Sequence, residues 1–153
     1  MNSDEAMRRA IDLGRQMMIS GEGRPFGCVI LRNGEIIGEG CNSMDRDHDP
    51  TAHGEVAAIR DACRRLETLD LSGAELYTSC EPCPMCTSVM YLAGISKLYY
   101  AASAEDPSLF GSDPGRLRRE VGKPVGERGM ASEQLMAEEG RALLLEWASS
   151  LNG

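Results

Sequence analysis

The sequence predicts an α/β fold, and three observations carry that expectation. Asn33-Gly34, a strong hairpin signal, lies between two short apolar runs. Helical and strand patterns alternate from 53 to 102, which implies parallel strands joined by crossover helices. The length of 153 residues is that of one domain around one core.

The elements follow in order. Residues 4–19 are predicted as a helix with Ser3 as cap, acidic Asp4 and Glu5 in the first turn, and an apolar stripe of Met7, Ala10, Ile11, Met17 and Met18. Gly21 to Pro25 ends it. A buried strand is expected over 26–31 and its antiparallel partner over 36–41, with Asn42 where that strand stops. Asn42 reads equally as a turn residue or a functional one. Residues 43–52 read as a polar loop, and His48 as a solvated member of it. A helix starts at His53, with Val56, Ile59, Cys63 and Leu66 facing the core. Residues 74–79 form a third strand, 83–93 a helix ended by Gly94, and 95–102 a fourth strand. Asp113-Pro114 reads as the cap and first position of a short helix over 114–121, where Arg116, Arg118, Arg119, Lys123 and Arg128 make a basic cluster or solvated face. A fifth strand is expected over 130–136 and a last helix over 137–150.

Composition narrows the function classes. The net charge of −8 argues against a nucleic-acid footprint, which is normally basic. No run of about 18 apolar residues suggests a membrane span. The acidic start lacks a signal-peptide pattern, so cytoplasm is the expected compartment. Six cysteines in such a compartment are expected to be unbridged, and Cys28, Cys41 and Cys63 read as buried free thiols.

The chemistry gathers between His53 and Cys86. His53 and Glu55 are separated by one residue, and Cys80-Glu81-Pro82-Cys83-Pro84-Met85-Cys86 follows after a spacer. One imidazole and two thiolates can hold Zn²⁺ by three ligands and leave a fourth position open. Such an ion lowers the pKa of a bound water from about 15.7 to about 7, a shift of about 12 kcal/mol. Removing an amine from an amidine-like carbon also needs protons moved, and Glu55 beside the open position is the candidate carrier. Helix starts under both cysteines favour thiolates. The other readings are a Cys83–Cys86 redox pair, or a structural zinc with Cys80 or His48 as its fourth ligand.

Pro25-Phe26-Gly27, Asn42, Asp49-Pro50-Thr51-Ala52-His53, the run from Tyr77 to Cys86, and Lys123-Pro124-Val125-Gly126-Glu127-Arg128 together resemble the cytidine deaminase superfamily, and within it the bacterial guanine deaminases. The resemblance covers nearly the whole chain. It implies a three-layer α/β/α fold with a five-stranded mixed sheet, formed by residues 1–153 as one zinc-binding domain. It implies Zn²⁺ on His53, Cys83 and Cys86, Glu55 as proton shuttle, and Asn42, Phe26 and Asp113 against the base. The activity it implies is hydrolytic deamination of a free nucleobase, guanine to xanthine and ammonia. It also implies a homodimer with exchanged C-terminal segments. Position 54 is glycine where most members carry alanine, as in fungal cytosine deaminases, so cytosine or another amino-pyrimidine or triazine is an alternative substrate. The final Ser150-Leu151-Asn152-Gly153 lacks the tyrosine with which many guanine deaminases reach the base. Adenosine in tRNA, and a zinc-holding interaction module without turnover, are the remaining alternatives.

Overall fold

The computed structural model describes residues 1–104 and 115–153. In chain order the elements are α1 (Ser3–Ser20), β1 (Gly27–Arg32), β2 (Glu35–Cys41), a short α2 (Met44–Asp47), α3 (Gly54–Leu66), β3 (Glu75–Cys80), α4 (Pro84–Ala93), β4 (Lys97–Ala102), α5 (Gly115–Val121) and α6 (Ala137–Ser150). They fall into two compact units, Met1–Arg118 and Arg119–Gly153.

In the first unit the four strands lie in the order β2-β1-β3-β4. Asn33 and Gly34 both have positive φ, as a tight hairpin turn requires, and β1 and β2 pair antiparallel from Arg32↔Glu35 to Gly27↔Cys41. β1 also pairs antiparallel with β3, Cys28 opposite Thr78. β3 and β4 are parallel, with α4 as the expected crossover. β2 and β3 therefore run the same way with β1 between them.

The pleat of β1 divides the core in two. Cys28 and Ile30 face α3 and α4 with Leu76, Ala58, Ile59, Ala62 and Met90. Val29 and Leu31 face α1 with Tyr77, Ala6 and Ala10. Helices thus cover both faces, which gives the expected three layers. Small residues set the distances. α1 buries Ala6, Ala10 and Gly14, with Met7 of the stripe packed half-buried beside them and Met18 exposed; the helix sits close enough that a Cβ at Gly27 would collide with the Ala10 carbonyl. Its cap is Asn2, one residue before the expected Ser3: Asn2 Oδ1 accepts the Glu5 amide at 3.0 Å and Glu5 accepts the Asn2 amide at 2.8 Å. Gly38 and Gly40 let α3 lie directly on β2, where a Cβ at Gly40 would collide with the Ala58 amide and stand 2.5 Å from the Gly54 carbonyl.

Several expectations fail: Met44–Asp47 is a short helix inside the expected loop, Leu66 of α3 is exposed rather than facing the core, Cys41 and Cys63 are half-buried rather than buried, and the strand count differs. The sheet has four strands among the described residues, not five. Residues 130–136 are irregular, and Met130, Leu135 and Met136 are exposed. A strand is completed by a neighbour's hydrogen bonds, and among the described residues 130–136 has no strand partner. In the second unit α6 leaves Leu143, Leu144, Leu145 and Trp147 exposed. No helix among the described residues is long and apolar enough to cross a membrane.

Gly40→Ala is expected to lower the unfolding free energy by about 1–3 kcal/mol through overpacking, read from urea melts. An unchanged midpoint would show that α3 does not need this close seat.

Candidate active site

Two helix N-termini meet at the ends of β2 and β3. His53 is the N-cap of α3 and Cys83 the N-cap of α4, both in extended backbone. The spacing placed His53 inside the first turn, but the structure sets it one position earlier. Each cap carbonyl accepts its first helical bond, Ala57 N–H to His53 and Thr87 N–H to Cys83, both at 2.9 Å. Neither side chain caps its own helix, so both project outward from a rigid backbone. Pro84 at the first position suits α4 because no amide is lost there.

The neighbouring motif residues hold these starts in place. Asp49 Oδ1 accepts the Thr51 amide at 2.8 Å and its hydroxyl at 2.7 Å, which folds the turn before His53. Glu81 accepts the Ala104 amide at 2.9 Å and donates its own amide to the Ala102 carbonyl at 2.8 Å, tying the loop before Cys83 to β4. Phe26 is fixed by its carbonyl, which accepts the Asn42 amide at 2.8 Å.

His53, Cys83 and Cys86 come together with their donor atoms within 4.8 Å of one another. His53 Nδ1 lies 3.6 Å from Cys83 Sγ and 3.4 Å from Cys86 Sγ. Around a tetrahedral Zn²⁺, bonds of about 2.3 Å to sulfur and about 2.0–2.1 Å to nitrogen separate such atoms by about 3.6 Å. The donor set therefore fits zinc in both chemistry and spacing. The protons in this cluster are unevenly held. A hydrogen bond from Cys86, aided by His53, pushes the Cys83 thiol far below the usual thiol range. Cys86 is driven up by the same bond, by burial and by the charge of Glu55. The contact with Cys83 raises His53 against the opposing effect of burial.

Glu55 stands in the first turn of α3 and is 6% exposed. Its Oε1 accepts the Thr78 hydroxyl at 2.9 Å and its Oε2 the Cys86 thiol at 3.4 Å. In front of it opens a cavity of about 300 Å³ lined by Phe26, Asn42, His53, Glu55, Cys80 and Cys83, with Arg24, Met44 and Arg118 among the other walls. That volume is at the lower end for small-molecule sites, about 300–1,000 Å³. Asn42 combines a turn bond with a place in the cavity wall. It is buried in the cavity wall, and its Oδ1 accepts the Met44 amide at 3.3 Å in a local turn.

Other candidates separate. Asp113 lies outside the described residues. His48 ends α2 in an exposed loop and is not in the donor set. Cys80 is buried in the cavity wall, raised by burial and by Glu55, and also outside the donor set. All six cysteines are unbridged, so Cys83 and Cys86 form no disulfide. Sequence reasoning gave no role to Thr78 or Met44, because a threonine in a strand or a methionine after a turn has no chemical signature, and it read Arg118 as part of a basic cluster or solvated face rather than as cavity wall.

The model of the cytidine and deoxycytidylate deaminase zinc-binding region matches residues 1–102. The chain belongs to this deaminase family. The guanine deaminase of Bacillus subtilis (strain 168) is 40% identical over 152 residues, covering 99% of this chain and 97% of that one. An X-ray structure of guanine deaminase from Bacillus subtilis superposes with a TM-score of 0.91 at 40% identity, covering 97% of this chain and 95% of that one. The tRNA-specific adenosine deaminase of Aquifex aeolicus (strain VF5) is 47% identical over 78 residues, 51% of this chain and 52% of that one. Family membership joins the donor set to a zinc-binding region whose match spans β1 to β4.

In metal-free protein near pH 6, Cys83 is expected to react with iodoacetamide well before Cys28, since a lowered thiol is already thiolate there and burial pushes the Cys28 thiol up. Peptide mapping by mass spectrometry reads the order. Equal labelling of the two would refute the lowered Cys83 thiol.

Proposed function

We propose that this chain deaminates free guanine hydrolytically, giving xanthine and ammonia, with zinc held by His53, Cys83 and Cys86. The observation that carries the reading is that donor set, with buried Glu55 beside it, in a chain similar over nearly its whole length to a guanine deaminase. When bound, zinc supplies a Lewis acid that brings a water near ionisation at neutral pH.

The chain's own groups do the rest. Water adds at C2 of guanine and ammonia leaves. One proton must pass from the water to a ring nitrogen, and another to the departing amine. Glu55 is the proposed carrier of both, since burial keeps bulk water from competing and Oε2 is turned toward the donor set. Phe26 and Asn42 are proposed to bind the base, Phe26 as an apolar wall and Asn42 through its amide. Asp113 is proposed as a further contact with the base.

Gly54 has a local reason that does not depend on substrate. A Cβ there would stand 2.8 Å from the Phe26 carbonyl oxygen, so the close approach of the segment just before β1 favours glycine in this chain. Glycine here is therefore not by itself a mark of a cytosine substrate. The tRNA reading is weaker, because the likeness to the Aquifex aeolicus enzyme covers about half of each chain, the guanine deaminase match covers nearly all of both, and the net charge is −8.

We take the whole chain as one functional domain acting as a homodimer with exchanged C-terminal segments. Support comes from what each unit leaves uncovered. Among the described residues β4 is an edge strand, and Tyr91 and Leu92 on α4 are 84% and 85% exposed. The second unit offers an apolar face on α6 and the unpaired segment 130–136. A partner's 130–136 beside β4 would supply the fifth strand. Six unbridged thiols suit action in a reducing compartment such as the cytoplasm.

The decisive experiment is zinc analysis followed by ammonia release from guanine, isocytosine, cytosine, adenine and ammeline. Guanine is expected to be the best substrate by kcat/KM. Glu55→Gln should keep zinc and lose at least about 10²–10⁴-fold in kcat. Cys83→Ser is expected to lose most of the metal. A Glu55→Gln variant with normal turnover would end the proton-carrier role, and preference for another base would end the guanine assignment. Sedimentation equilibrium should give twice the chain mass, and a monomer at micromolar concentration would refute the exchanged dimer.

A further inference from the structure

β3 carries one buried polar residue that the metal-site motif does not use. Thr78 lies in the row that faces α3 and α4, in line with Leu76, and is 1% exposed. Its Oγ1 is 2.9 Å from Glu55 Oε1 and 3.2 Å from the Cys80 carbonyl oxygen. A hydroxyl has one proton to donate, and a carboxylate at the shorter distance is the stronger acceptor.

The two partners differ in stiffness. Thr78 is paired with Cys28 on one side and Tyr100 on the other, in the middle of the sheet. Its branched Cβ restricts rotation. Glu55 is a long side chain whose carboxyl can swing about three torsions. Nothing on α3 itself holds its Oε1; that bond comes from the strand. With Oε1 held, Oε2 turns to Cys86 at 3.4 Å, on the side of the donor set.

We propose that Thr78 is a positioning residue for Glu55, its hydroxyl holding one carboxyl oxygen so that the other stays turned toward His53, Cys83 and Cys86. This role rests on the reading of Glu55 as proton carrier. The protein reaches the arrangement by placing a donor on the strand between the two helices, where the sheet fixes its position independently of substrate.

Three substitutions separate hydroxyl from shape. Thr78→Val keeps the shape without the proton, Thr78→Ser keeps the proton, and Thr78→Ala removes both. Zinc content is expected to stay at the parent's value in all three. Ammonia release from guanine should fall about 10–100-fold in kcat for Val, with KM within about threefold, and return to within about threefold of parent for Ser. Infrared difference spectra of the metal-free proteins, with Glu55→Gln marking the Glu55 band, give a readout free of turnover. The carboxylate stretch should shift in Val and Ala and return in Ser. If Val does not fold, the Ala and Ser variants carry the same contrast, since they differ only by the hydroxyl. A parent-like kcat and an unmoved band without the hydroxyl, or a Ser variant as impaired as Val, overturns the role. A parent chain inactive on guanine whose Glu55 band still answers to Thr78 would instead remove the substrate assignment and leave the positioning standing.

Discussion

The site depends on two helix starts being brought nose to nose. His53 and Cys83 are both cap residues whose side chains point away from their own helices, and Cys86 stands one turn beyond. At those ends the unsatisfied amides and the dipole favour negative groups, which suits two thiolates and one carboxylate. The meeting is possible because α3 lies on β2 without intervening side chains. Gly38 and Gly40 on the strand face Ala58 and Ala62 on the helix. A larger residue at either glycine would lift α3 and carry His53 and Glu55 with it. The sheet, the glycine seat and the donor set are one mechanical unit.

Burial gives this unit its chemical character. Among the described residues the buried polar side chains are Asn42, Ser43, Glu55 and Thr78. Three of the four line the cavity or touch the carboxylate that does. Buried polar groups are costly unless paired, and here each has a bond: Asn42 with Met44, Ser43 with Asp47, Thr78 with Glu55. Elsewhere the core is apolar, so polar burial concentrates where the reaction needs it. The surrounding salt bridges, such as Arg46 with Asp47 and Arg24 with Asp45, are exposed and contribute little to stability.

Much of this was legible in the residues. The hairpin at Asn33-Gly34, the helix over 83–93 ended by Gly94, and the parallel pair around it follow from local turn chemistry and periodicity, and the structure has them within a residue or two. The donor set was legible because histidine, cysteine and glutamate at those spacings are rare without a metal. Thr78 was not. A threonine in a strand is ordinary, and its role comes from a residue 23 positions earlier that the fold sets beside it. The cap of α1 was missed by one residue because Asn2 and Ser3 are both good caps, and the return bond from Glu5 chooses Asn2.

Local rules determined the hairpin turn, the helix starts to within a residue for α1, α3 and α4, and the His53, Cys83 and Cys86 donor set, because those depend on residue types and neighbours within a few positions. Only the tertiary structure decided how many strands the described sheet holds, which way Glu55 faces, and how close another backbone comes to position 54. Each of these is settled by contact between segments far apart in the chain. An extended segment becomes a strand only beside an open edge, a carboxyl turns toward whichever donor the fold supplies, and a missing Cβ matters only where another backbone comes close.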